Sequence, residues 1–208
     1  MPFFDEIKMS FADVPVDAAN NNAIDTIAFL KASDEVVKLL DGLKSNFLAP
    51  VRKDINGNIE YVRESCQKHP LNAATLQELY PVNAEIEEKL MWLTRGLRFI
   101  YYAITWHLDG KDDKGNALPT LGDAFKAAYQ ATLAKVHSWA SSVAVSTALK
   151  YGVPTSEDFY ASLSAEPVDQ IREKLRVWLA GLERIVGILY PLIDTTSPEF
   201  KARAKAKK

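Results

Sequence analysis

The chain has 208 residues, 48% of them hydrophobic and 25% charged, which is enough for one sizeable core and too few for two full domains. A formal net charge of -2 excludes the strong basic field expected of a protein whose main partner is nucleic acid. The single cysteine, Cys66, excludes an internal disulfide and fits a reducing compartment.

The N-terminal sequence MPFFDEIKMSF differs from a signal peptide, because Asp5 and Glu6 stand where such a peptide needs basic residues. No apolar run along the chain approaches the length of a membrane span. We therefore expect a soluble protein of the cytoplasm.

The first half of the chain has the hydrophobic period of helices. The segment after the N-terminus places five apolar residues at steps of three or seven, the spacing of one helix face: Ile27, Leu30, Val37, Leu40 and Leu43. Four helices are predicted in this half: residues 24–44, a helix that contains residues 54–63 and ends before His69, a short turn over residues 76–80, and a long helix over residues 83–109.

The second half continues the helical pattern after a glycine-rich and charged loop at residues 110–119. Three more helices are predicted: one capped by Thr120 and Asp123 and extending with a break to about Lys150, a short one near Ser156, and one over residues 168–194 that Pro191 should kink or end. No repeat, strand pair or linker is evident. We expect one all-α domain of about seven or eight helices over residues 1–208, with a disordered basic tail at residues 197–208.

The segment DINGNIEYVR, residues 54–63, contains two conflicting signals. Asn56-Gly57 favours a turn, because both residues tolerate positive φ. The rest of the segment has helical period: Asp54, Asn58 and Tyr61 follow at i, i+4 and i+7, beside an apolar face of Ile55, Ile59 and Val62. A helix here would carry a polar stripe, and a polar stripe beside an apolar face needs a partner.

Common catalytic and metal motifs are absent from the sequence. The segment begins like a calcium loop, but Ile59 stands where glycine is required and Ser65 where a bidentate glutamate is required. The three histidines lack metal spacing, and adjacent residues such as Glu87 and Glu88 point in different directions on a helix. An enzyme whose carboxylates converge from distant segments stays an alternative, but the pattern favours a protein that is not an enzyme.

Four motifs in this order resemble the glycolipid transfer protein family. They are D-I-x-G-N-I from Asp54, L-M-W-L-x-R-G-L-R-F-I from Leu90, H-x-W from His137 and P-x-x-x-D-F from Pro154. The N-terminal SFADVPVDAANNNAI further resembles fungal members of the heterokaryon-incompatibility C type. The resemblance spans nearly the whole chain, and several long motifs in order are more specific than one short pattern.

The resemblance implies a two-layer, all-helical sandwich that carries one glycosphingolipid between membranes. Galactosyl-, glucosyl- or lactosylceramide would be the cargo, with the ceramide in an interior hydrophobic tunnel and the neutral sugar at a surface site. The resemblance further implies a monomer that contacts membranes peripherally and reversibly. It implies no catalysis, no cofactor and no metal.

The resemblance also assigns roles to residues of the polar stripe. Asp54 would accept from the lipid amide N–H and a sugar hydroxyl, and Asn58 would donate to and accept from the sugar. Trp92 would offer a flat face to the sugar ring, and His137 would donate to the ceramide carbonyl. Taken without the resemblance, core packing is the favoured interpretation of both Trp92 and His137.

Membrane contact is implied for Trp139, because the matching family position docks on the bilayer, as an interfacial tryptophan does. Core packing is the alternative. The basic tail would either add attraction to anionic lipid or lie in solvent.

Two departures from the family concern the headgroup. Tyr61 stands where members commonly have lysine, so a cationic donor is expected to be missing. Relatives that carry ceramide 1-phosphate place cations where this chain has Trp92, Glu88 and Tyr61, so a phosphate would meet no cation there unless Arg95 reached it. A neutral sugar is therefore expected. The alternatives are a carrier or sensor of another sphingolipid such as ceramide 1-phosphate, and a helical interaction module with a vestigial pocket.

Overall fold

A computed structural model describes residues 2–46, 48–136 and 152–206 of the chain. These residues form nine α-helices, seven of them eight residues or longer. The helices are α1 (Phe3–Glu6), α2 (Thr26–Gly42), α3 (Leu48–Lys68), α4 (Leu76–Leu79), α5 (Ala84–Asp109), α6 (Leu121–Thr132), α7 (Ser156–Leu163), α8 (Val168–Ile193) and α9 (Pro198–Ala206). Short 3₁₀ turns lie at Phe11–Asp13, Pro70–Asn72 and Tyr80–Val82.

The prediction that the chain has no strand pair is wrong in one place. Strand β1 (Val16–Asp17) pairs antiparallel with β2 (Ala23–Ile24) before the first long helix. Asn21 has a φ of 51°, a left-handed conformation that asparagine adopts more readily than most residues. Two-residue strands are too short to leave an alternating pattern, so this pair has no sequence signal.

Helix α3 runs without a break from Leu48 to Lys68 and so passes through Asn56-Gly57. Its apolar face decides the conformation, because Ile55, Ile59 and Val62 are fully buried. Burial of each such side chain contributes about 1.5–3 kcal/mol, whereas a glycine in a helix costs about 1 kcal/mol. The helical prediction for this segment is confirmed, and the polar stripe lies on a continuous helix.

Helix α5 is the central element of the fold, since α3, α6 and α8 all pack against it. The Asn83 side chain caps its start by accepting from the backbone N–H of Glu85 and of Ile86. Gly110, with a φ of 67°, ends it in the left-handed conformation common at helix C-termini. Both predicted ends of this helix are thus confirmed.

The remaining predicted helix boundaries fit the structure with two differences. Thr120 and Asp123 form the predicted capping box of α6, and α7 begins at Ser156 after the Thr155 cap. Helix α8 passes through Pro191 and ends only two residues later. Helix α6 ends at Thr132, and most of the extension predicted towards Lys150 falls in residues 137–151, outside the described part.

Two predictions about surface segments are not matched. Ile27 is 49% exposed, because it lies nine residues before the buried Val36 and therefore on the opposite side of α2. Residues 198–206 form α9, where a disordered tail was expected; the Ser197 hydroxyl accepts from the Phe200 N–H at 3.0 Å, and α9 packs on α8. That residues 1–208 are one domain stays a prediction.

None of the helices in the described residues is long and apolar enough to cross a lipid bilayer.

Candidate functional site

The polar stripe of α3 lies at a close crossing with α5. The crossing depends on Gly96, because a Cβ atom there would lie only 2.9 Å from Ile55 Cγ1 and 3.3 Å from Cδ1. Real Cβ contacts are wider, so glycine lets the two helices approach more closely than any other residue would. Asp54 precedes Ile55, and Trp92 lies one turn before Gly96, so both flank this crossing.

A second contact fixes the direction of the two helices. Near the C-terminal end of the stripe, Lys89 Nζ lies 5.7 Å from the centre of the Tyr61 ring. Ile55 on α3 contacts Gly96 on α5. Tyr61, which is later on α3, contacts Lys89, which is earlier on α5. The helices are therefore antiparallel here. By interpolation, Asn58 lies level with Trp92 and its neighbour Leu93.

The stripe itself consists of an exposed carboxylate and a buried amide. Asp54 is exposed, whereas Asn58 retains only 5% of its accessible surface. Asn58 Nδ2 donates a long hydrogen bond of 3.3 Å to Asp54 Oδ2. This bond orients the amide with its N–H₂ group towards Asp54, and the exposed member of the pair is the Asp54 carboxylate, an acceptor.

The indole of Trp92 is held from one side by a charged group. The guanidinium carbon of Arg95 lies 4.7 Å from the centre of the indole ring, a cation–π distance. Arg95 in turn donates from Nε to Asp194 Oδ2 at 2.8 Å and from Nη2 to Oδ1 at 3.2 Å. The Arg95 guanidinium thus occupies one face of the Trp92 indole.

The ion pair with Asp194 holds Arg95 in this position. Both side chains are buried, at 8% and 1% exposure for Arg95 and Asp194. Burial by itself raises the pKa of the Asp194 carboxyl, but hydrogen bonds from Arg95 and Thr196 outweigh it and hold the pKa below the ordinary value of 3.8. The carboxylate therefore stays charged at neutral pH, and Arg95 does not reach a headgroup as a mobile cation.

Tyr61 and Lys89 form the far end of the stripe. The Glu85 carboxylate, as a hydrogen-bond acceptor and as a negative charge, raises the pKa of Tyr61, and burial adds to the effect. The phenol therefore stays neutral. Lys89 is half-buried against the ring. The expectation that no cation lies at this end of the stripe is wrong, because the cation comes from α5 and its contact with Tyr61 exists only in the folded chain.

Two of the predicted site residues, His137 and Trp139, lie outside the described residues. Their roles stay predictions. Helix α6, which precedes them in the chain, packs against α5.

The chemistry of this site suits a neutral polyhydroxylated ligand. It combines an aromatic face, a carboxylate, an amide, a phenol and one ammonium group, which together accept from and donate to hydroxyl groups. In the described part of the chain no group of three or more His, Cys, Asp or Glu side chains could hold a metal ion. Asp194 and Lys89 were not identified from the sequence. Lys89 had one weak signal, its position three residues before Trp92 on the same helix.

Comparison with known proteins identifies the same family over most of the chain. The family model for glycolipid transfer protein matches residues 24–165. The glycolipid transfer protein of Aureobasidium melanogenum is 35% identical over 194 residues, which cover 90% of each chain.

Two solved structures are similar to this chain in sequence and fold. HET-C2, a fungal glycolipid transfer protein, has a TM-score of 0.83 and 33% identity, covering 95% of this chain and 98% of its own. FAPP2, described as selecting simple glycosphingolipids with the same fold, has a TM-score of 0.76 and 27% identity, covering 96% of this chain and 99% of its own. The predicted all-α sandwich is confirmed.

Proposed function

Because the chain belongs to the glycolipid transfer protein family, we propose that it transfers glycosphingolipids between membranes without altering them chemically. The similar proteins include the glycolipid transfer protein of Aureobasidium melanogenum, the fungal glycolipid transfer protein HET-C2 and a protein that selects simple glycosphingolipids. The cargo would be galactosyl-, glucosyl- or lactosylceramide.

The observation that carries the proposal is the polar stripe beside Trp92 at the α3–α5 crossing. Asp54 accepts from the ceramide amide N–H and from a sugar hydroxyl, and Asn58 binds the sugar from the adjacent turn. The sugar ring stacks on Trp92, whose indole Arg95 contacts. Stacking on an indole and hydrogen bonds to hydroxyls recognise a sugar without requiring a charge on it.

The ceramide would occupy an apolar tunnel in the protein interior, with His137 donating to its carbonyl. Burial in a tunnel removes the hydrocarbon chains from water during transfer, at about 0.8 kcal/mol per methylene. Trp139 would contact the bilayer during lipid exchange, so the protein would meet membranes peripherally and reversibly. It would act as a monomer in the cytoplasm.

Charge at the site opposes the alternative of ceramide 1-phosphate. Phosphate recognition relies on charge-assisted hydrogen bonds from arginine or lysine. Arg95 is already bound to Asp194, and Lys89 is accompanied on α5 by the exposed carboxylates of Glu85 and Glu88. A dianion would meet more negative than positive charge there.

Mass spectrometry of lipid extracted from the purified protein tests the proposal. A glycosylceramide as the bound lipid is the expected result. A phosphate-bearing ceramide would instead indicate a carrier of another sphingolipid. No bound lipid, together with no transfer between vesicles, would indicate a helical interaction module with a vestigial pocket.

A further inference from the structure

A cavity of about 310 Å³ lies between α5 and α8, a volume in the range of small-molecule sites. Arg98, which lines the cavity, follows Gly96 by two residues and so lies about 200° around α5 from that glycine. Because Gly96 faces α3, the cavity lies on the opposite side of α5 and is separate from the candidate headgroup site. The lining includes these aromatic and charged side chains: Arg98, Tyr101 and Tyr102 from α5, and Glu183 and Tyr190 from α8.

The guanidinium of Arg98 is supported by two phenol rings. Its central carbon lies 3.8 Å from the centre of the Tyr190 ring and 5.1 Å from the centre of the Tyr102 ring. Contact with aromatic faces leaves the N–H groups, which lie in the guanidinium plane, able to donate hydrogen bonds. Nη2 donates to the Tyr102 hydroxyl at 3.4 Å, a long hydrogen bond. The stacked arginine therefore keeps most of its donor capacity.

Arg98 also differs from other arginines of the fold in its pairing. Among the described residues no carboxylate lies within ion-pair distance of Arg98, whereas three other arginines have such a partner. Arg98 is half-buried, and partial removal of a cation from water is unfavourable unless other acceptors replace the lost hydrogen bonds. The fork of N–H groups on a guanidinium fits the oxygens of a phosphate or carboxylate. This side of the cavity is therefore suited to an oxyanion.

A negative charge lines the same cavity, because Glu183 of α8 is exposed there. Burial raises the pKa of Tyr101, and the Glu183 carboxylate raises it further as a hydrogen-bond acceptor and as a negative charge. The Tyr101 phenol therefore stays neutral and lies beside the carboxylate. A dianion would be repelled by Glu183, whereas a ligand that joins a singly charged phosphate to an ammonium group would meet both charges. The neighbouring tyrosine ring also attracts a quaternary ammonium.

We propose that this cavity is a second binding site, which takes a phosphocholine diester. Arg98 donates to the phosphate oxygens, and Glu183 and Tyr101 face the quaternary ammonium. The same group occurs in soluble glycerophosphocholine and in the headgroup of phosphatidylcholine. The site lies outside the glycolipid site and does not depend on the proposed transfer function.

The test is isothermal titration calorimetry of the full chain with glycerophosphocholine. Arg98→Met removes the charge and the donors, so we expect affinity to fall about tenfold, the effect of losing one hydrogen bond from a charged donor. Glycerol 3-phosphate, which has no ammonium group, should bind at least about tenfold more weakly than glycerophosphocholine. Glu183→Gln should weaken binding of glycerophosphocholine and strengthen binding of glycerol 3-phosphate, because it removes the charge that attracts the ammonium and repels the dianion.

The matched control is Arg176→Met, because Arg176 pairs with Asp109 at the surface and does not line this cavity. It should leave the affinity for glycerophosphocholine unchanged. Thermal unfolding followed by circular dichroism should show that all variants are folded. Because Glu183 is exposed, Glu183→Gln provides the test even if Arg98→Met fails to fold.

Absence of glycerophosphocholine binding, or binding that neither Arg98→Met nor Glu183→Gln weakens, would overturn the inference. Dihexanoylphosphatidylcholine, titrated below its micelle concentration, distinguishes the two sources of the ligand. Binding of this lipid that is equally sensitive to Arg98→Met would assign the site to a membrane headgroup, and binding of glycerophosphocholine alone would assign it to a soluble diester. Arg98→Met should leave the affinity for galactosylceramide in detergent within about twofold, so failure of this site would not affect the glycolipid proposal.

Discussion

Arg95 and Asp194 form a buried two-pronged ion pair, although 99 residues separate them in the chain. The pair joins the middle of α5 to the end of α8, and the guanidinium lies against the indole of Trp92. It therefore links the stability of the fold to the position of the aromatic side chain in the candidate site. It also explains why an arginine beside the site does not make it a site for anions.

The first prediction concerns the pH dependence of stability. Because the folded-state pKa of Asp194 is depressed, its contribution is fully present above the unfolded pKa, near 3.8, and is lost as pH falls through the folded pKa. Asp194→Asn should cost about 3–5 kcal/mol of unfolding free energy at pH 7, since Arg95 is left buried and unpaired. The cost should shrink below about pH 4.

Urea unfolding at a series of pH values measures both effects. Asp109→Asn is the matched control, because Asp109 pairs with Arg176 at the surface and should contribute less than about 1 kcal/mol. A cost for Asp194→Asn that is as small as the control value, or that does not change with pH, would contradict the assigned role.

The second prediction concerns Gly57, which is exposed in the middle of α3 with no atom within 4 Å of a Cβ built there. Gly57→Ala should raise the unfolding free energy by up to about 1 kcal/mol, because alanine is the better helix former. If the sugar approaches the α3 backbone at this turn, the same change should reduce vesicle transfer of galactosylceramide.

Gly187 provides the control, since it is also exposed, lies inside α8 and has no atom within 4 Å of a built Cβ. Gly187→Ala should stabilise the fold to a similar extent and leave transfer unchanged. Equal transfer by both alanine variants would show that the absence of a side chain at Gly57 has no function.

The third prediction concerns the assigned acceptor. Asp54→Val should abolish glycolipid transfer and leave the helical circular dichroism spectrum intact, because Asp54 is exposed and the lipid donors would lose their partner, at about 1–3 kcal/mol per bond. Glu60→Val, at another exposed acid of α3, should retain transfer. His137→Leu should resemble the aspartate variant through loss of the ceramide contact. Full transfer by folded Asp54→Val would reject the assignment.

The fourth prediction separates membrane contact from lipid binding. Trp139→Ala should weaken partitioning onto vesicles more than it weakens affinity for glycolipid in detergent, because an interfacial tryptophan acts only where a bilayer is present. Sedimentation with vesicles and fluorescence titration in detergent measure the two quantities. Losses of similar size in both assays would indicate that Trp139 belongs to the core.

The sequence was sufficient for features that depend on neighbouring residues. The helical period of residues 54–63 and the capping box at Thr120 are predictable from the sequence, because spacing along one helix determines them. The motif resemblance implies that Trp92 lies beside the stripe, and the structure adds a close contact between Gly96, one turn later on α5, and Ile55.

Features that depend on packing between distant segments were not predictable in this way. The partner of Arg95 is 99 residues away, and the cation at Tyr61 comes from another helix. Ile27 fits an apolar spacing of three, yet the buried face of α2 is centred near Val36 on the other side. Local periodicity cannot show which of two overlapping stripes meets the core.

The central claim is that the site binds a neutral sugar on a ceramide. Its most direct test is to measure transfer between vesicles of galactosylceramide and of ceramide 1-phosphate by the same protein under the same conditions. The account predicts rapid transfer of galactosylceramide and little transfer of ceramide 1-phosphate, because Arg95 is held by Asp194 and carboxylates accompany Lys89. The reverse preference would contradict the glycolipid assignment and leave the fold unaffected.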